Sequence, residues 1–155
     1  MLGLKTTRGI ICSCALVSVI FASVSALAAD IDSKPFAEQR VLLSLSNASP
    51  QSQSAIMDIA FNLMRHYGGP DMVDIEVIVY GPGIRAVLVE SAIESARIAS
   101  LVDNGVRFYA CGNTLDTLAS REKREPRLVN AVERVPSGVA FILEEIDAGY
   151  KSVHP

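Results

Sequence analysis

The sequence predicts a single α/β domain of three layers, α/β/α, built on a mostly parallel sheet of about five strands. Three observations carry this. Short runs rich in β-branched and aromatic residues alternate with longer stretches whose apolar residues recur every three or four positions. Strands separated by helices of ten or more residues pair in parallel and are covered on both faces. The chain has 155 residues, half of them hydrophobic, which is enough for one core and too little for two.

Taken in order, Lys5 and Arg8 precede an uncharged run over residues 9–29 that closes on Ala26-Leu27-Ala28. That succession of charge, apolar core and small residues is the pattern of a secretory signal peptide, residues 1–28, cleaved after Ala28. The run also approaches the roughly 20 residues that span a bilayer, so the one membrane contact expected is an uncleaved leader. Residues 29–39 are polar and aperiodic and read as a flexible lead to a domain over residues 40–155. Val41-Leu42-Leu43-Ser44-Leu45 is nearly continuous apolar sequence, the mark of a strand buried on both sides. Ser49 and Pro50 open a helix as N-cap and first residue. Ile56, Ile59, Ala60, Leu63, Met64 and Tyr67 form its apolar stripe, and Gly68-Gly69-Pro70 ends it.

Residues 73–80 make the strongest strand, with Asp74 and Glu76 near its start, and Gly81-Pro82-Gly83 closes it. A turn over residues 84–88 leads to a helix over about residues 91–104, capped by Gly105. Val106-Arg107-Phe108-Tyr109-Ala110 is the next strand, followed by a short helix over residues 114–120. Residues 121–127 are densely charged and include Pro126, a solvated connection. Residues 132–135 form a fourth strand. Pro136-Ser137-Gly138 opens a last helix with Val139, Ile142, Leu143 and Ile146 as its stripe, ending at Gly149, and residues 150–154 form a short final strand.

Cleavage of the leader removes two positive charges and takes the net charge from −3 to −5. A mildly acidic domain without a basic helix face points away from nucleic acid. Cleavage also removes Cys12 and Cys14 and leaves Cys111 as a solitary thiol. In an oxidising compartment such a thiol is either buried and inert or reactive and used.

In a parallel sheet the loops after the strands share one edge, where open α/β sheets bind ligands. Here those loops contain Asn47, Gly81-Pro82-Gly83, Cys111-Gly112-Asn113 and Pro136-Ser137. Cys111 lies between a strand and a helix start, whose partial positive charge and unpaired N–H groups stabilise a thiolate. Cys111 is therefore the candidate catalytic residue. Gly112, Asn113, Thr114, Tyr80, Gly81, Gly83 and Asn47 are the candidate substrate-binding residues, with the N–H groups of Gly112 and Asn113 steadying an anionic sulfur. His66 ends a helix running against the strands, about 24 Å from that edge at 1.5 Å per residue, so a Cys111–His66 dyad is rejected. His154 can reach the correct edge. Two separated histidines and one cysteine make no zinc site, and no metal or cofactor is expected.

The combination Val77-Ile78-Val79-Tyr80-Gly81-Pro82-Gly83-Ile84, then Gly105 through Cys111-Gly112-Asn113-Thr114, then Val135-Pro136-Ser137-Gly138-Val139-Ala140 and Gly149-Tyr150 resembles the DsrE/DsrF-like family. The resemblance implies an α/β/α domain assembled as a homo-trimer or homo-hexamer. It also implies a sulfur relay in which a loop cysteine accepts sulfur as a persulfide and hands it on, and Cys111 matches that cysteine. The export signal is a departure, because the well-understood relays are cytoplasmic; the chain looks more like the exported, poorly characterised branch.

The leading expectation is a periplasmic or secreted sulfur carrier, its partners being unidentified donor and acceptor proteins or small sulfane-sulfur compounds. The alternative is a non-catalytic ligand-binding or oligomeric assembly module of the same fold. A periplasmic redox thiol forming a mixed disulfide is a third possibility.

Overall fold

A computed structural model describes residues 34–90 and 94–155. The expected leader over residues 1–28, and the lead as far as residue 33, lie outside the described residues. Five strands form one sheet in the order β4-β3-β2-β1-β5, every neighbouring pair parallel. They are β1 (Gln39–Leu45), β2 (Val73–Val79), β3 (Arg107–Cys111), β4 (Val132–Val135) and β5 (Lys151–Val153). The helices are α1 (Pro50–His66), α2 (Ser95–Asp103), α3 (Gly112–Glu122) and α4 (Gly138–Asp147). Short 3₁₀ turns occupy Pro70–Met72 and Gly81–Val87. None of the described helices is long and apolar enough to cross a membrane.

The alternation of side chains along the strands sorts the core into two unequal layers. On one face Val41, Leu43 and Leu45 of β1, Ile75, Val77 and Val79 of β2, and Phe108 and Ala110 of β3 pack under α1 and α2, with Leu115 of α3 at the margin. On the other face Leu42, Ile78 and Tyr150 pack with Tyr109, Phe141 and Ile142 under α4 alone. Both faces of β1 and β2 are thus buried, which is why their sequences are almost unbroken apolar runs. Each fully buried side chain such as Leu42 or Phe108 contributes about 1.5–3 kcal/mol of transfer free energy.

Local chemistry sets the boundaries. Ser49 caps α1, its hydroxyl accepting from the Ser52 amide at 3.1 Å, and Pro50 occupies the first turn, where no N–H is needed. Ser137 caps α4 in the same way. The charged segment after α3 is exposed and makes surface ion pairs, Arg124 and Arg127 both reaching Glu90.

Four expectations change. Residues 34–38 are tied down: the Lys34 ammonium donates to the carbonyls of Pro70 at 2.7 Å and Val73 at 3.3 Å, and the Glu38 amide donates to Met72. Gln39 already pairs with Val73, so β1 begins inside the expected lead. Polar sequence here meets the carbonyls that start β2, a contact that apolar patterning does not reveal. The second helix begins at Ser95 and not near residue 91, and the third runs from Gly112 to Glu122, longer than expected. The last change concerns α4. Its seam against the sheet is Gly138, Phe141, Ile142 and Glu145, whereas Val139, Leu143 and Ile146 point outward with exposures of 59 %, 59 % and 43 %. Its apolar stripe has the right period and faces away from the chain's own core.

Candidate functional site

Cys111 is the last residue of β3 and the N-cap of α3. Its place in the strand turns the side chain to the α4 face of the sheet, where only 6 % of the residue is exposed. The Gly138 amide, at the start of α4, donates to Cys111 Sγ at 3.2 Å. Burial pushes the thiol pKa up, but the Thr114 hydroxyl and the backbone N–H groups of Gly138, Thr114 and Asn113 outweigh it, and the thiol lies below its ordinary value. Two helix starts thus converge on one sulfur. Sequence reasoning anticipated the one at α3 and missed the one at α4, because it comes from a segment 27 residues away.

Gly112 is a close-packing position. A Cβ there would lie 2.9 Å from the Val135 carbonyl oxygen, so this glycine lets the β3–α3 turn press against the β4–α4 connection. The Asn113 amide also reaches the Pro136 carbonyl at 3.2 Å, stitching the same two segments. Thr114 is the hub, its Oγ1 accepting from the Gly81 amide at 3.1 Å while its hydroxyl serves Cys111. Tyr80 lies beside Gly138, and its hydroxyl meets His154 Nε2 at 3.1 Å, so His154 does arrive at this edge. Gly83 is a packing position: its amide donates to the Ser46 carbonyl, and a Cβ would stand 2.6 Å from Leu45 O. Asn47 is exposed and bonds the Ser49 amide at 2.7 Å, shaping the β1–α1 turn. Tyr80, Gly81, Cys111, Gly112, Asn113 and Thr114 are brought together with Gly138; Asn47 bonds only within its own turn.

A cleft of about 560 Å³ opens between the Gly81–Val87 turn and α3, lined by Gly81, Pro82, Arg85, Asn113, Thr114 and Arg121 among others. Cys111 is not in its lining, and Thr114 stands between the cleft and the sulfur. His66 lies in a separate groove on α1 with Ile59, Asn62 and Arg65. Among the described residues no group of three or more side chains is placed to hold a metal ion.

A second polar assembly lies on the same face, further down the strands. Asp74 and Glu76 of β2 are buried on the α4 face, where the half-buried guanidinium of Arg107 from β3 bonds Asp74 Oδ1 at 2.8 Å and Glu76 Oε1 at 2.9 Å. The Tyr150 hydroxyl donates to Asp74 Oδ2 and accepts from Arg107, each at 2.7 Å. Desolvation and the nearby Glu145 carboxyl raise the Glu76 pKa to about 7, against the opposing pull of Arg107. Partial desolvation works against the Arg107 charge, but Asp74 outweighs it and holds the guanidinium firmly charged. The signal that could have found this cluster is the spacing of Asp74 and Glu76, two apart in a strand that is otherwise apolar, with an arginine in the next strand.

The family model described as the DsrE/DsrF-like family matches residues 39–155, and so covers the whole sheet and every helix described above. The chain belongs to the DsrE/DsrF-like family. That family is generally implicated in sulfur relay. Among solved structures, the domain is similar to MTH1491 from Methanobacterium thermoautotrophicum, titled a protein of unknown function. The identity there is 27 %, the TM-score 0.67, and the match covers 76 % of this chain and 100 % of that one. It is also similar to the ychN protein from E. coli at 15 % identity and a TM-score of 0.56, covering 75 % of this chain and 97 % of that one, a likeness of fold alone. No curated protein matches the chain. The DsrE-like fold thus brings the strand-end loops and Cys111 together at one edge.

Proposed function

We propose that the protein is an exported sulfur carrier that takes up sulfane sulfur as a persulfide on Cys111 and passes it to a partner thiol. One observation carries this reading: Cys111 Sγ sits where the starts of α3 and α4 meet, with the Gly138 amide at 3.2 Å and the thiol more acidic than an ordinary cysteine. The thiolate attacks the outer sulfur of a donor R–S–SH; the donor's S–S bond breaks, R–S⁻ leaves with the electron pair, and Cys111 holds the persulfide. An acceptor thiolate then attacks the outer sulfur, and Cys111 departs as thiolate. No external oxidant enters, and no cofactor is needed. Amides that favour a thiolate also favour the anionic persulfide, which carries its charge one atom further out.

Donor and acceptor are other proteins or small sulfane-sulfur compounds; with thiosulfate as donor, sulfite is the leaving group. Export rests on the leader pattern before Ala28, and periplasmic fractionation with N-terminal sequencing tests it. Incubation with thiosulfate or polysulfide, with or without a donor enzyme, followed by intact mass measurement tests the chemistry. A gain of one sulfur mass that Cys111→Ser abolishes is expected; no gain under any donor sinks the reading.

A second reading, assembly into a homo-trimer or homo-hexamer, draws support from α4, whose Val139, Leu143 and Ile146 are exposed in the single chain. Assembly is compatible with the carrier chemistry; as the sole role of the fold, it would leave the acidity of Cys111 without a use.

A further inference from the structure

A carrier that accepts small donors needs a surface that holds them, and the cleft between the Gly81–Val87 turn and α3 has the size for it. Its volume of about 560 Å³ lies within the range of small-molecule sites, about 300–1,000 Å³. On the α3 side Thr114, Leu118 and Arg121 line it at spacings of four and three, so one helix face forms that wall. Gly81, Ile84 and Arg85 line the other side. Ile84 and Leu118 supply apolar surface.

The two ends of the cleft differ. At one, the Gly81 amide donates to Thr114 Oγ1 at 3.1 Å, and Thr114 belongs to the first turn of the helix that Cys111 caps. At the other, Arg85 reaches across to Glu122, the residue after Arg121, at 2.9 Å. Thr114 and Arg121 are seven residues apart, two turns or about 10 Å along α3. Both guanidiniums of the lining therefore stand at the end away from Cys111.

That end keeps an excess of positive charge. None of the lining residues is acidic. The nearby carboxylates are already met by cations: Glu122 bonds Arg85 and Arg124, Glu90 bonds Arg124 and Arg127, and Asp116 bonds Arg134 through both oxygens. Lys123 and Glu125, both exposed, offset each other. Arg121 is exposed and forms no ion pair among the described residues, so its planar fork of donors is open to a carboxylate or sulfonate.

We infer that this cleft anchors the sulfur donor, and that the donor is a small organic persulfide with a carboxylate or sulfonate at the end away from its sulfur: Arg121 holds the anion, and the persulfide end lies at Thr114, beside Cys111. This rests on the carrier reading and narrows its donors to one class. Anchoring, not bond breaking, is the role of the cleft, since Cys111 is not in its lining. In the transfer the Cys111 thiolate takes the outer sulfur, the donor's S–S bond breaks, and the anionic tail leaves as a thiolate with the electron pair. Thiosulfate, whose charged oxygens are one bond from the sulfane sulfur, is too short to use both ends of a cleft about 10 Å long.

The test follows persulfide loading of Cys111 on the full chain by intact mass, with mercaptoethanesulfonate persulfide and the uncharged mercaptoethanol persulfide as donors. In wild type the sulfonate donor is expected to reach half-maximal rate at about a tenth of the concentration the uncharged donor needs, the effect of one charge-assisted contact. Arg121→Gln is expected to remove that advantage and Arg121→Lys to keep most of it. Arg121 is exposed, so both variants are expected to fold. Arg65→Gln, on α1 outside the cleft, controls for net charge and should keep the advantage. Calorimetry with the inert methylthioethanesulfonate should show saturable binding to wild type that Arg121→Gln weakens about tenfold. Absence of that binding, equal half-saturation for the two donors in wild type, or equal losses in Arg65→Gln and Arg121→Gln overturns the cleft. Calorimetry involves no sulfane sulfur. If the inert anion binds through Arg121 but neither donor loads Cys111, the carrier reading falls and takes the donor role with it, leaving an anion site. Loading without preference for the sulfonate donor sinks the cleft and leaves the carrier reading standing.

Discussion

The Gly138 amide points at Cys111 Sγ across 3.2 Å, joining the first residue of α4 to the last residue of β3. That junction is tight enough that any added side chain makes its neighbours give way by a few tenths of an ångström. A Cβ on Gly138 would lie 3.0 Å from Cys111 Cβ, 3.2 Å from Tyr80 Cβ and 3.4 Å from Sγ. Gly138→Ala is therefore expected to displace the amide and slow Cys111 alkylation several-fold. Its stability loss should be modest, because alanine recovers part of the roughly 1 kcal/mol that glycine costs a helix. Alkylation kinetics beside a thermal melt separate the two effects.

Gly83→Ala makes the contrasting case. Its Cβ would meet the Leu45 carbonyl oxygen at 2.6 Å, a backbone atom held in β1 that cannot swing aside. Destabilisation by about 2–3 kcal/mol is expected, at the upper end for overpacking, with the midpoint of urea unfolding as the measurement. A loss below that of Gly138→Ala would contradict the packing described.

Thr114 links Cys111 to Gly81, so Thr114→Val removes a donor to the sulfur and an acceptor for the Gly81 amide. The thiol pKa is expected to rise, moving the midpoint of the alkylation–pH profile upward, and stability to fall by about 1 kcal/mol. Thr114→Ser, which keeps the hydroxyl, should restore the midpoint. A valine profile that overlays wild type would show that the amides alone set the acidity.

The buried Glu76 carboxyl gives stability a pH dependence of definite sign. Its folded pKa of about 7 lies above the ordinary 4.5. Between those values the folded chain holds a proton that the unfolded chain has released, so stability declines as pH rises through the window and levels off above it. The full span amounts to about 3 kcal/mol at 1.36 kcal/mol per unit. Cys111, shifted down, contributes with the opposite sign and only towards alkaline pH. Glu76→Gln is expected to flatten the decline in urea-unfolding free energies measured from pH 5 to 8; an unchanged slope would place its origin elsewhere.

The outward residues of α4 make the assembly reading measurable. Leu143→Asp, at a position 59 % exposed in the single chain, leaves the core untouched. If α4 forms the contact between copies, sedimentation should show smaller particles with unchanged circular dichroism. Identical sedimentation of variant and wild type would remove α4 from the interface.

The fold was largely legible in the residues. The near-continuous apolar runs of β1 and β2 signalled strands buried on both faces, and Ser49-Pro50 marked the start of α1 as the structure has it. The run over 132–135 became β4 without change. Boundaries were legible where a side chain caps its own helix and less so elsewhere: Lys34 fastens residues that carry no local pattern, by reaching carbonyls 36 and 39 positions away. The site was half visible. Cys111, Thr114 and Gly81 are legible as neighbours because parallel strands end on one edge. Gly138 shows in the sequence only as the start of a helix.

By itself, then, the sequence determined which segments become strands and helices, that the strands run parallel, and that Cys111 stands at their carboxyl ends. Periodicity and turn residues act within a few positions, and the chain carries them openly. Tertiary structure alone decided what surrounds the sulfur, which face of α4 is left bare, and that Asp74, Glu76, Arg107 and Tyr150 share one polar cluster. Those outcomes depend on sheet order and on how a helix is rotated over the sheet. Both are settled by contacts between residues tens of positions apart, which no local pattern records.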